Sequence, residues 1–267
     1  MMSEQTNMFE ELARQNGSTL WSAREFMLVL GYDSWDDFQK LVRKTMGIYL
    51  QSEWVEAEKE FRYFEVEEGD YTLEDYKLSR FACYVLAMNG ETSHPEVIQA
   101  QSFFAKTVES FQDTLTPNDI ERFGIRGQLK EAFKDLNKTF TKQSGTNYAL
   151  FNQAGIVGMY NQPNWKLAKA RGVQGNKLYE RMSRTELAAN LFRVTQTEER
   201  IKSQAIRGQT NLESAHKDVG RAVRNMVKEN VGIFPEQLPQ AEQPVPKIES
   251  NLKKTQRKFQ KMDDTEA

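Results

Sequence analysis

Apolar residues recur at helical spacing through most of this chain, most clearly from Ser183 to Asn230, where two amphipathic helices joined by a Gly-containing turn are predicted. In the first, residues 183–202, Leu187, Leu191, Val194 and Ile201 share one face, with Ala188 and Phe192 beside it. Ser183 and Glu186 have the spacing of a capping box, in which hydroxyl and carboxylate each satisfy an unpaired backbone N–H. Gly208 marks the break. In the second, residues 212–229, Ala215, Val219, Ala222, Val223 and Met226 form the apolar stripe. Lys217, Arg221, Arg224 and Lys228 fall within about 60° of one another on the opposite side. A helix with one buried seam and one cationic stripe suits a polyanion such as nucleic acid. An ordinary solvated face accounts for the same pattern, although like charges at this spacing slightly destabilise a helix.

The same periodicity organises the rest. Residues 20–44 predict two short helices, with Ser22 and Glu25 as a capping box, Gly31 at a helix C-terminus and Ser34 capping the next. Residues 61–73 are aromatic and β-favouring around Glu68-Gly69-Asp70, which predicts a β-hairpin. Residues 74–90 follow as a helix, apolar nearly all round from Leu78 to Met88 and ending at Asn89-Gly90. Pro95 starts another helix, with Val97, Gln101, Phe104, Val108 and Phe111 at helical spacing. Thr116-Pro117 opens a second half, in which Leu129, Phe133, Leu136 and Phe140 form a seam. Beside that seam run Arg126, Lys130, Lys134, Lys138 and Lys142, but Glu131 and Asp135 stand ready to pair with them, so a salt-bridged exposed face is expected.

Between Thr146 and Met182 the pattern breaks into short helices punctuated by Gly155, Gly158, Pro163, Gly172 and Gly175. Lys166, Lys169, Arg171 and Lys177 cluster there alongside Trp165, Tyr160 and Tyr179. Cations interleaved with aromatics hold phosphates and stack bases, and the same aromatics also suit the core of a small helical unit. Four prolines between 235 and 246 predict an extended linker, and the basic stretch from Lys247 to Lys261 a disordered or marginally helical tail.

Composition sharpens this division. The net charge of −2 conceals 10 Lys+Arg against 21 Asp+Glu in residues 1–118, and 26 against 17 in residues 119–267. A nucleic-acid surface is therefore expected in the second half. No apolar run approaches the length of a membrane span, and residues 1–15 lack a signal-peptide pattern, so a soluble cytoplasmic protein is expected. The single cysteine, Cys83, lies in an apolar run and reads as a buried thiol. No nucleophile motif, Gly-rich phosphate loop or metal-ligand cluster is present, so neither catalysis nor a cofactor is expected. Of the two histidines, His94 reads as exposed or capping, and His216, at the edge of the second helix, stands within reach of a phosphate.

Two stretches carry a specific likeness. LWSAREFMLVLGYDSW together with LSRFACYVLAMNGETSHPEVIQAQSFFA resembles the Bro-N domain of phage and viral regulators. MSRTELAANLFRVTQTEERI followed by HKDVGRAVRNMVKENVGIFPEQLP resembles the DNA-damage-inducible protein D (DinD) family. The resemblance implies a bacterial or phage protein of the DNA-damage (SOS) response, without enzymatic activity, that modulates RecA filaments on single-stranded DNA. It implies no catalytic residues. A phage-type transcriptional regulator or antirepressor acting on duplex DNA is the alternative. The expected architecture is mainly α: an α+β Bro-N-like domain at 15–115, an all-helical domain at 116–234, and a linker and tail at 235–267.

Overall fold

The computed structural model describes residues 20–50, 55–69, 71–109 and 115–266. Asp70 and Phe111, to which the sequence assigns a turn and a helix face, lie outside the described residues. The chain divides into two compact units, residues 1–121 with 247–267, and residues 122–246. Among the described residues, no helix is long and apolar enough to cross a membrane.

The first unit combines a three-stranded antiparallel sheet with helices. Its elements are β1 (Trp21–Ser22), α1 (Ala23–Val29), α2 (Trp35–Leu50), α3 (Ala57–Glu60), β2 (Phe61–Glu68), β3 (Tyr71–Leu78), α4 (Arg80–Asn89) and α5 (Pro95–Glu109). The strand order is β1-β3-β2, with Leu78 opposite both Trp21 and Phe61. The predicted hairpin is present, but its second strand runs on to Leu78, through residues the sequence assigns to the next helix. Helix begins only at Arg80, because the Ser79 hydroxyl accepts the Ala82 N–H and sets the N-cap. Every residue of α4 is buried. Ser22 and Ser34 cap α1 and α2, accepting the N–H groups of Glu25 and Asp37, and Gly31 turns the chain in the left-handed region.

The basic tail differs most from expectation. It forms α11 (Val245–Glu266), a helix of the first unit, with Ile248, Leu252 and Phe259 buried. Phe259 packs against Tyr84, Asp263 pairs with the buried Arg80 at 2.9 Å, and the Gln256 amide donates to Glu60 at 2.8 Å.

The second unit is helical. It contains α6 (Pro117–Lys142) from Arg122 onward, α7 (Tyr148–Tyr160), α8 (Asn164–Ala170) and a 3₁₀ segment, Gly175–Arg181. Next come α9 (Arg184–Ser203), α10 (Gln209–Val231) and a 3₁₀ turn, Pro235–Gln237. Along α6, Lys134 and Lys138 pair with Glu131 and Asp135 at 2.7 and 2.9 Å, as expected of a solvated face.

Gly155 and Gly158 do not punctuate the chain; they lie inside α7, where they let it meet α10 backbone to backbone. A Cβ on Gly220 would stand 2.6 Å from the Gly155 carbonyl oxygen, and one on Gly158 would collide with the Lys217 carbonyl. This close approach rotates α10 relative to the predicted stripe. Its buried residues are Leu212, Ala215, His216, Val219, Gly220, Val223 and Val227, whereas Ala222 and Met226 face solvent.

Candidate nucleic-acid interface

The first basic cluster sits where α8 meets the following 3₁₀ segment, joined by an Asn164 Nδ2 donation to the Gly175 carbonyl at 3.4 Å. The helix α8 turns Leu167 and Ala168 inward. Trp165, Lys166 and Lys169 consequently face outward, with Trp165 67% exposed. Lys177 is exposed on the 3₁₀ segment. None of the three lysines has a carboxylate partner among the described residues.

The aromatics of this region divide. Tyr160 is a core residue, and Tyr179 packs edge-on against Phe133, with the Arg126 guanidinium 5.5 Å from its ring centre. Trp165 alone offers an open face. Arg171 is also inside: its Nη1 lies 2.7 Å from Oε1 of the fully buried Glu186, and its Nη2 donates to the Pro235 carbonyl at 3.4 Å.

The second cluster, on α10, is not the unbroken solvent-facing stripe expected. Because Gly220 draws its side of the helix toward α7, Arg224 one turn later is only 14% exposed. Its guanidinium grips Glu236 at 2.5 and 2.7 Å and donates to the Met159 carbonyl at 3.0 Å. Lys228 donates to the Gly232 carbonyl at 2.5 Å, and Arg221 to Asp218 at 3.3 Å. Lys217 is half-buried and has no carboxylate partner among the described residues. One cation from each cluster, Arg171 and Arg224, thus binds the same internal segment around Pro235 and Glu236.

Beneath these surfaces runs a buried polar chain that the sequence reading did not single out. The Tyr160 hydroxyl donates to Glu186 Oε1 at 2.7 Å and accepts from Asn190 Nδ2 at 2.7 Å. Arg193 donates to Asn190 Oδ1 at 3.1 Å and contacts His216 Nε2 at 2.5 Å. An arginine has no acceptor, so Nε2 must accept, and the remaining proton sits on Nδ1 and goes to the Phe151 carbonyl at 3.1 Å. Burial raises the Glu186 carboxyl above its ordinary range, opposed by Arg171. His216 is wholly inside and meets no phosphate, a correction forced by the rotation of α10. Glu186 does not close the predicted capping box. Its N–H meets the Ser183 hydroxyl, but its carboxylate turns into the core toward Arg171 and Tyr160.

Burial, and then the Arg193 charge, hold the His216 imidazole well below its usual value of 6.5. As pH falls below that value, the unfolded chain gains a proton at this site that the folded one refuses. The contribution is therefore complete above that pH and lost progressively as the pH falls below it. Urea unfolding at two pH values checks this. The acid loss should be smaller in His216→Gln, where the opposite effect of Glu186 is retained and cancels in the comparison. Equal acid losses in the two proteins would refute it.

Residues 116–248, which hold both basic clusters, match the DinD C-terminal domain family. Over 277 aligned residues the chain is 32% identical to DNA damage-inducible protein D of Escherichia coli (strain K12), covering 96% of this chain and 100% of that protein. The chain belongs to the DNA-damage-inducible protein D family.

Proposed function

We propose that this protein serves the DNA-damage response without catalysis, by binding single-stranded DNA through its second unit and modulating RecA filaments there. The observation that carries the DNA-binding reading is the corner built by α8 and the 3₁₀ segment, where α8 exposes Trp165, Lys166 and Lys169 and the 3₁₀ segment exposes Lys177. An indole face stacks on any base, and unpaired lysines track a phosphate backbone. Family membership supports a role in the DNA-damage response, and RecA is the partner that the sequence resemblance implies. The acidic first unit repels phosphate, and its hairpin exposes Tyr63, Glu65, Val66, Glu67 and Tyr71, so that surface is assigned to a protein partner.

The test uses the full chain and a fluorescent oligo-dT. Trp165→Ala should weaken binding by roughly 10- to 100-fold, the effect of losing one stacked base. Replacing Lys166, Lys169 and Lys177 by Gln should flatten the dependence of log affinity on log salt by about 2 units, at about 0.7 per phosphate. Wild-type affinity in both folded variants would remove this corner. Tighter binding to a duplex than to a single strand would favour a transcriptional regulator.

A further inference from the structure

Beyond Val231, Gly232 adopts a left-handed conformation and turns the chain back across α10. The returning segment places two side chains on two α10 cations. Glu236 takes the Arg224 guanidinium with both oxygens, at 2.5 and 2.7 Å. The Phe234 ring lies over the same guanidinium, 4.2 Å from centroid to Cζ, with Lys228 Nζ at 5.0 Å from that centroid. A forked arginine recognises phosphate as it does carboxylate, and a cation that rests against an aromatic ring also rests against a base.

We infer that Arg224 and Lys228 form a one-nucleotide subsite for single-stranded nucleic acid, filled in the free protein by Glu236 in place of the phosphate and Phe234 in place of the base. The incoming strand exchanges with these two side chains. This rests on the reading of the protein as a single-strand binder, and adds a second place on the strand together with an internal competitor. The exchange needs no unfolding of the segment. Its backbone stays anchored by the buried Pro235 and Leu238 and by Arg171, which donates to the Pro235 carbonyl. The Glu236 side chain is 25% exposed and Phe234 half-buried, so both can rotate away.

An ordinary structural clasp and an internal stand-in give opposite results when Glu236 loses its charge. In the full chain, Glu236→Gln should bind oligo-dT several-fold more tightly at low salt. Adding Arg224→Gln to that variant should abolish the gain. A folded Glu236→Gln protein with unchanged or weaker binding overturns the proposal. A readout on the wild-type protein covers failure of the variant to fold. Carbodiimide labelling of Glu236, followed by mass spectrometry, should rise when oligo-dT saturates the protein, and unchanged labelling overturns the proposal equally. Loss of binding in Trp165→Ala with wild-type behaviour of Glu236→Gln would discard the subsite and leave the single-strand reading intact. Absence of binding in wild type and Glu236→Gln alike would discard both.

Discussion

A chain ending at Pro244 should lose the fold of its acidic unit. The missing helix α11 carries Ile248, Leu252 and Phe259, all buried in that unit. Fully burying side chains of this kind stabilises by about 1.5–3 kcal/mol each, so their removal costs about as much as a domain's entire net stability of roughly 5–15 kcal/mol. The loss is compounded because Arg80, itself buried, gives up Asp263, and Glu60 gives up Gln256. Thermal unfolding of the truncated chain should show the transition of the second unit without that of the first, together with loss of near-ultraviolet dichroism from the Tyr84–Phe259 region. A truncated chain that melts like the full one would show that α11 contributes nothing. The same reasoning governs any attempt to assign activities to halves of the protein. A fragment cut near residue 115 lacks α11, so the acidic unit must be tested with residues 247–267 restored.

That helix was written in the sequence but obscured by its charge. Val245, Ile248, Leu252 and Phe259 fall at helical spacing, yet six basic residues between 247 and 261 make the stretch read as a solvated tail. Periodicity says only that one face is apolar; it does not say that a partner for Asp263 exists 183 residues away in the chain, at Arg80. The start of α4 was hidden for a different reason. Residues 74–78 read equally as the edge of an apolar helix or as an alternating strand, and only the pairing of Phe61 with Leu78 decides between them. Where a local signal was unambiguous, as at Ser22, Ser34 and Thr116, the helix starts follow from the sequence.

The candidate interface shows the same division. The cationic residue types were visible, but which of them remain available depends on a helix crossing. Gly220 looks like a weak point in a helix until Gly155 and Gly158 are found opposite it. The resulting rotation moves Arg224 from the solvated face to the edge of the core, and leaves Ala222 and Met226 outside. In the sequence Trp165 is one aromatic among three, because sequence does not distinguish an exposed indole from the buried ring of Tyr160. The polar row Glu186, Asn190, Arg193 and Thr197, spaced 4, 3 and 4 along α9, was a usable signal. It is masked because Leu187, Val194 and Ile201 supply an apolar face next to it.

That row makes Arg171→Met the substitution in the second unit with the largest expected cost. Arg171 is 6% exposed and its partner Glu186 is fully buried, so solvent cannot replace the lost cation. Removing one member of such a pair leaves an uncompensated charge and costs about 3–5 kcal/mol. Methionine keeps much of the volume, which confines the effect to charge. Burial already raises the Glu186 carboxyl, and loss of Arg171 removes the influence that opposes this. Its folded value then lies further above its unfolded one, so Glu186 stabilises the variant at low pH and the contribution is lost as pH rises through the folded value. The deficit of Arg171→Met relative to wild type should consequently narrow on acidification from neutral toward pH 5, in the opposite sense to the effect of His216. Adding Glu186→Gln should recover most of the loss at neutral pH, since glutamine still accepts the Tyr160 hydroxyl. Urea denaturation of the wild type, both single variants and the double variant measures the coupling directly. Strictly additive losses would mean that the two side chains, although 2.7 Å apart, do not stabilise one another.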